Sequence, residues 1–381
     1  LFDILLEDDD FRPVFYLTLS DTALRLDRDK RQSEFFAALK FFSKIGEVAG
    51  CLYDPQRDRM LPPSSITSDL VFVQQPWGMQ DLPRRLQGRC LTAYIHYGYP
   101  VIQNQRMQFG LKHFHPFLWT HFIADKVQEK EIVTSKYEQA ENLLVAGYPK
   151  LDAYFGLGLA PIQKSPPRQR EISQRKRVIF APHHTLSPNT LNLSTLDWSA
   201  SAMLDLVETN PDIDFILKPH PNLEFEAHRI GGGVLENYLF FINCWEKALN
   251  STTMSTGDYF SLFQDSDALI TDSGSFLAEY LPTQRPLIRL TKPNSAKLNS
   301  NGKLLARAFY EASDTETLKS VFERVVLKGD DHLKPKRLAA CKTLMPKDAP
   351  SSTVIVNYLR KRLRKSTPND VSNFGASSVA R

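Results

Sequence analysis

Asp272-Ser273-Gly274-Ser275 follows the apolar run Ala268-Leu269-Ile270-Thr271 and precedes Phe276-Leu277-Ala278-Glu279-Tyr280. A buried strand that passes through Ser and Gly into a helix start leaves backbone N–H groups without intrahelical acceptors, and such groups hold phosphate without a metal. Ser273 and Ser275 add hydroxyl donors, while Gly274 permits a close backbone approach. Asp272 is better suited to holding the turn than to facing a phosphate. Plain helix capping accounts for the same residues equally well. Glu279, one helical turn beyond Ser275, faces a sugar hydroxyl or merely solvent.

Histidines supply the second chemical signal. His220 lies in Leu217-Lys218-Pro219-His220-Pro221, where two prolines restrict the backbone around a side chain that donates to phosphate or shuttles a proton near neutral pH. Lys218 adds positive charge, although strand alternation need not aim it with His220. His183 and His184 follow another apolar run; adjacent histidines seldom aim both rings at one ion, so they are expected to line a cleft and no metal site is expected. His96, in Tyr94-Ile95-His96-Tyr97-Gly98, is a candidate base or a histidine that satisfies a buried backbone group. His113, His115 and His121 are spaced like an aromatic packing region. Lys150, in Gly147-Tyr148-Pro149-Lys150-Leu151-Asp152, contacts a donor phosphate or lies on the surface. P-loop, zincin and α/β-hydrolase motifs are absent.

These residues need strands and helices to position them. Short β-type runs are expected at Val14 to Thr18, around Leu52-Tyr53, and at Leu70 to Val73, Ala93 to Ile95, Glu131 to Val133 and Leu143 to Ala146. A helix from Ser33 to Ile45 carries Phe35, Phe36, Leu39, Phe41 and Phe42 on one expected apolar stripe. The second half repeats the pattern at Arg177 to Ala181, Phe215 to Lys218, Ala268 to Thr271 and Pro286 to Leu290. A helix with Leu318, Val321, Phe322, Val325 and Val326 follows, capped by Ser313. Strands alternating with helices give an α/β class with largely parallel sheets. In such sheets ligands gather beyond the carboxyl ends of the strands, so the segments after Ala181, Lys218 and Thr271 are expected to converge.

The 381 residues suffice for two domains. The expected division is an acceptor-side domain over residues 1–160, a polar, basic linker with three prolines over 161–175, a donor-binding domain over 176–350 and a closing helix or basic tail over 351–381. A net charge of +4 argues against nucleic acid as the partner. Much of that excess lies in Arg360-Lys361-Arg362-Leu363-Arg364-Lys365, read as part of a packed helix or as a contact to anionic membrane. Cys51, Cys90, Cys244 and Cys341 form no CxxC pair, which makes reducing cytoplasm the simplest compartment.

Taken in order, Gly147 to Asp152, Val178 to Pro182, Ile216 to Pro221, Asp267 to Ser275 and Pro286-Leu287-Ile288 resemble the CDP-glycerol glycerophosphotransferase family, the teichoic-acid primases and polymerases. The resemblance implies a GT-B-like fold: two Rossmann-like domains with an interdomain cleft. It implies a CDP-linked polyol or nucleotide-sugar donor, a lipid-linked or polysaccharide acceptor, and no cofactor. His220, Ser273 and Ser275 map onto the family's phosphate contacts. Lys150, His183, Lys218, Gly274 and Glu279 complete the expected donor site, with His96 and His220 as catalytic candidates.

The family carries a presumed base immediately before glycine in a Trp-His-Gly-Thr-Pro-like segment. Tyr97 stands at that position here, as in a capsule-associated branch, and His96 lies one residue earlier. A GT-B glycosyltransferase acting on a nucleotide-sugar and a noncatalytic polysaccharide-assembly protein are the other two readings.

Overall fold

A strand buried on both faces must be apolar throughout, and Val178-Ile179-Phe180-Ala181 and Ala268-Leu269-Ile270 are. The computed structural model describes residues 1–78, 81–135, 142–154, 175–255, 258–344 and 349–363. Its strands are β1 (Phe15–Leu17), β2 (Val48–Cys51), β3 (Tyr53–Asp54), β4 (Arg59–Met60), β5 (Leu70–Val73), β6 (Leu91–Ile95), β7 (Thr120–Ile123), β8 (Leu143–Val145), β9 (Lys176–Ala181), β10 (Ile213–Leu217), β11 (Ser251–Thr253), β12 (Ala268–Thr271), β13 (Leu287–Leu290) and β14 (Tyr310–Ala312).

β9 to β14 form one parallel sheet in the order β11-β10-β9-β12-β13-β14. That is the doubly wound order, and it reverses direction between β9 and β12. Alternation along these strands feeds two cores. Val178, Phe180, Ala268 and Ile270 point to one face, where Trp245, Phe241 and Phe322 pack. Ile179, Ala181 and Leu269 point to the other, where they meet Tyr99, Val101, Ile102, Tyr148 and Leu151 from the first half of the chain.

The first half carries its own parallel sheet, β5-β6-β7-β8, with β1-β2 and β3-β4 pairing separately. A strap locks the halves together: Gln103 N–H donates to Lys297 O at 2.7 Å, Asn299 N–H to Val101 O at 2.9 Å, and Asn299 Nδ2 to Pro100 O at 2.8 Å. The C-terminal helix Ser351–Leu363 crosses back onto the first sheet, burying Ile355, Val356 and Leu359 against Leu5, Ala93 and Phe122. The apolar side of this helix is thus spent inside the fold. Its Arg360 pairs with Asp8 and Asp10. No helix among the described residues is long and apolar enough to cross a membrane.

Three local expectations are corrected. Glu131-Ile132-Val133 belongs to the helix Lys126–Val133, because Asp125 caps that helix by accepting from the Val127 and Gln128 amides. The neighbouring strand is Thr120–Ile123, hidden in sequence by its histidine. In the helix Arg28–Phe42, Phe35 is buried while Phe36 and Phe41 are 52% and 58% exposed, so the phenylalanines do not form one stripe. Asp314, not Ser313, caps Thr315–Phe322, since its carboxylate reaches the Thr317 amide. Residues 161–174 of the expected linker, and 364–381 of the expected tail, lie outside the described residues.

Asp152 caps the crossing helix: its two carboxylate oxygens accept the Ser351 and Ser352 amides at 2.9 and 2.8 Å, and it is buried. Asp152→Ala leaves both amides without that acceptor and is expected to cost about 2 kcal/mol in urea denaturation. A loss below about 0.5 kcal/mol would show that this cap does not hold the helix to the first sheet.

Candidate active site

The site forms where the strand order reverses, because β9 and β12 lie side by side there and each is followed by a polar segment. Asp272 joins the ends. Its Oδ1 accepts the His183 N–H at 2.6 Å, and its Oδ2 accepts the Thr195 N–H at 2.6 Å and the Thr195 hydroxyl at 2.9 Å. Burial pushes the Asp272 carboxyl up to about 6, against the lowering by those donors. Asp272 holds the turn, and it does so across the sheet. Next to it, the Thr271 hydroxyl donates to Ala181 O at 2.7 Å and accepts the Ser273 N–H at 2.9 Å.

Beyond Ser273 the backbone opens. Among the described residues, the Gly274, Ser275 and Phe276 amides meet no acceptor. The helix that follows, Phe276–Glu279, is a single turn, so anion attraction rests on these amides and the serine hydroxyls rather than on a long helix dipole. Gly274 has a packing reason of its own: a Cβ there would lie 2.7 Å from Ile102 Cγ1. The close approach expected of a ligand at Gly274 is made, on that side, by Ile102.

Three imidazoles adjoin this turn, and His183 and His184 lie closer together than adjacent histidines usually do. Their ring centroids are 4.4 Å apart, and they lie 5.2 and 3.9 Å from that of His220. Nitrogens of all three come within 4.8 Å of one another. Proximity alone would suit a cation, but the backbone sets the tautomers. His183 Nδ1 accepts the Thr185 N–H at 3.2 Å, and His220 Nδ1 accepts the Asn222 N–H at 3.1 Å. A nitrogen that accepts an amide carries no proton, so in each neutral ring the proton lies on Nε2. A metal ligand would have to give up that proton while Nδ1 stayed blocked. The two rings are arranged as N–H donors, the polarity an anion needs.

Burial holds the cluster neutral. It lowers His220 to about 3, helped by His184 and Lys218, and lowers His184 to about 4. His183 falls well below the usual range by burial and by its two neighbours. Lys218 supplies the nearby cation; its ammonium donates to Ser255 O at 3.3 Å.

All nine residues singled out from sequence, namely His96, Lys150, His183, Lys218, His220, Ser273, Gly274, Ser275 and Glu279, line one cavity of about 310 Å³ between the two sheets. Their surroundings revise several readings. Glu279 is buried and accepts the Tyr148 hydroxyl at 2.7 Å and the Tyr259 hydroxyl at 2.9 Å, so it bridges the halves instead of meeting solvent. Lys150 donates to Tyr259 at 3.2 Å and sits between the rings of Tyr97 and Tyr259. It is part of this network, not a free surface lysine. His96 is bound through Nε2 to the Tyr94 hydroxyl at 2.9 Å, and burial, with His115, lowers it to about 3. An imidazole so hard to protonate is a weak base at neutral pH. His115 and His121 pack behind it against Tyr94, as the aromatic spacing suggested.

Sequence reasoning missed Thr195, Tyr148, Tyr259, Trp77 and Ile102 at the site. Tyr148 stood in a motif already noted for its turn, but its hydroxyl partner lies 131 residues away. Thr195 and Ile102 carry no local signal.

Two parallel α/β sheets facing a cleft, the second with doubly wound order, define a GT-B-like fold. Solved structures share it: a UDP-GlcNAc 2-epimerase from Neisseria meningitidis bound to UDP-GlcNAc (TM-score 0.55, 12% identity, 95% of each chain covered) and a putative UDP-N-acetylglucosamine 2-epimerase from Listeria monocytogenes (0.56, 13%, 93% of this chain and 97% of that one). The S. aureus MnaA–UDP structure aligns with TM-score 0.57 at 13% identity over 92% of this chain and 96% of its own. At such identities the likeness is one of fold. The sequence profile of the CDP-glycerol:poly(glycerophosphate) glycerophosphotransferases matches residues 97–293, and the chain belongs to that family. No curated protein sequence matches it.

Six histidines, His96, His115, His121, His183, His184 and His220, are held neutral by burial. Unfolded, each titrates near 6.5, so below that pH the unfolded chain binds more protons and stability falls as pH drops toward the folded values. One such ring costs about 2 kcal/mol at about pH 5. Asp272, raised in the fold, acts with opposite sign between about 6 and about 4, but it is one group against six. Thermal melts are therefore expected to drop by about 10 °C or more between pH 7.5 and about pH 5. An unchanged melting temperature would show that these rings are not neutral and buried together.

Proposed function

We propose that the chain transfers glycerol phosphate, or a related polyol phosphate, from a CDP-linked donor to a lipid-linked or polysaccharide acceptor at the inner face of the plasma membrane, with release of CMP. Family membership supports the reaction class. The observation that carries the reading is the donor wall of the cleft. There the open amides of Gly274 to Phe276, the Ser273 and Ser275 hydroxyls, the N–H groups of His183 and His220, and Lys218 converge on one cavity.

In the proposed reaction the acceptor oxygen bonds to the donor's β-phosphorus while the bridging P–O bond breaks, and the electron pair leaves on the α-phosphate of CMP. The transferred group gathers charge on its equatorial oxygens, so fixed donors aimed at those oxygens lower the barrier. A loose transition state loses the acceptor proton late and asks little of a base. That suits a site in which tyrosine replaces the pre-glycine histidine and His96 is tied to Tyr94. His220 and the Ser273–Ser275 turn then carry most of the catalysis, and Glu279 with Lys150 shapes the acceptor side.

One observation favours a second reading. Tyr97 at the pre-glycine position departs from the glycerophosphotransferase pattern, which fits a nucleotide-sugar donor bound by the same cradle.

A donor panel with mass analysis of the products separates the two. Glycerol phosphate gained by the acceptor, with stoichiometric CMP, is expected; a sugar gained without its phosphate would replace this reading by the second. On the productive donor, His220→Ala is expected to lower kcat/KM about 100-fold and His96→Ala less than about tenfold. The reverse order would move the chemistry to the first sheet.

A further inference from the structure

His184 is the member of the imidazole cluster with no assigned task. Its ring stacks on His220 at 3.9 Å with 31° between the planes, and its Nδ1 is buried without a partner. The other two rings have no nitrogen open to a second proton, because Nδ1 of each faces a backbone N–H. His184 alone can accept one without breaking a bond. Around the cluster the charged groups are Lys218 from the end of β10, Glu226 from the helix Leu223–Ile230, and Asp272 from the end of β12, whose carboxylate is engaged by His183 and Thr195.

This charge set is short of what the site must bind. A pyrophosphate diester carries two negative charges; the cluster meets it with the single Lys218 ammonium and neutral rings, and the cavity's other ammonium, Lys150, shares the Tyr259 hydroxyl with the Glu279 carboxylate. Two anionic charges bound against His220, whose ring lies 3.9 Å from that of His184, favour the protonated form of the His184 imidazole behind it. An imidazolium stacked on the face of His220 is attracted to that ring and strengthens the N–H that His220 presents.

We infer that His184 takes up a proton when a pyrophosphate diester binds, and that its charged ring then holds His220 against the ligand's phosphates. His184 is a positioning residue that acts through His220, and it makes donor affinity depend on pH. The inference rests on the reading of this wall as a pyrophosphate site. Without ligand, burial keeps the ring neutral, at about 4, despite the opposing influence of Glu226.

The test is nitrogen-15 NMR of the full chain labelled at histidine, with the His184 signals assigned by their loss in His184→Asn. The ligand is P1,P2-dimethyl pyrophosphate, a diester that has no titration of its own near neutrality and no nucleoside. At about pH 6.5 its addition is expected to move the His184 signals from the neutral to the imidazolium pattern. In parallel, wild-type affinity for CDP-glycerol is expected to fall up to about tenfold per pH unit from about pH 6 to about pH 8, and His184→Asn to lose that slope. A His184 that stays neutral at saturating ligand overturns the inference, as does a slope unchanged in the variant. If the variant fails to fold, the wild-type spectra still decide. Proton uptake with dimethyl pyrophosphate in a protein that turns over no CDP-glycerol supports the inference while removing the proposed reaction. Turnover of CDP-glycerol with a neutral His184 does the opposite.

Discussion

The Asp272 carboxylate is the constraint on which the site depends. One oxygen holds the amide of His183 at the end of β9, and the other holds Thr195 at the start of the helix Leu196–Thr209. A buried carboxylate is costly unless its lone pairs are filled, and here the donors come from two other segments of the chain. The same contact that satisfies the charge therefore brings the histidine strand end and the serine turn together. His183 and the Ser273–Ser275 turn are placed relative to that bridge.

A second constraint closes the other side. The strap from Pro100 to Gln103 runs along Lys297 to Asn299, and Ile102 sits against Gly274 closely enough to exclude a Cβ. Tyr148 from the first half reaches Glu279 from the second. The halves thus share a core and a buried polar network at the cleft itself. A site assembled this way presents fixed donors with little reorganisation, which is what stabilisation of a charged phosphoryl group requires.

Much of this was legible in sequence because it is local. Short apolar runs ending in polar or small residues marked β9, β10 and β12 and pointed to their convergence, and the seven residues chosen after them line one cavity with His96 and Lys150 from the first half. What sequence did not show is tertiary. Glu131-Ile132-Val133 has β-type composition, but a capping Asp125 six residues earlier decides for helix. The convergence of His183 with His184 depends on the turn after β9, and the orientation of His220 on an amide two residues away. Gly274 was read as room for a ligand when the neighbour that needs the room is a side chain 172 positions earlier in the chain, Ile102. Of the two readings of the basic C-terminal segment, a packed helix or a membrane contact, the helix Ser351–Leu363 follows the first, packed on the first sheet.

The central claim is that a nucleotide-linked pyrophosphate is held by the turn after β12 and by the histidine wall. A crystal structure of the chain with CDP-glycerol tests it most directly. The account predicts phosphate oxygens within hydrogen-bond distance of the Gly274 and Ser275 amides and of His220 Nε2, with the glycerol end toward Lys150 and Glu279. Phosphates bound elsewhere, or a metal ion between His183, His184 and His220 carrying them, would contradict it.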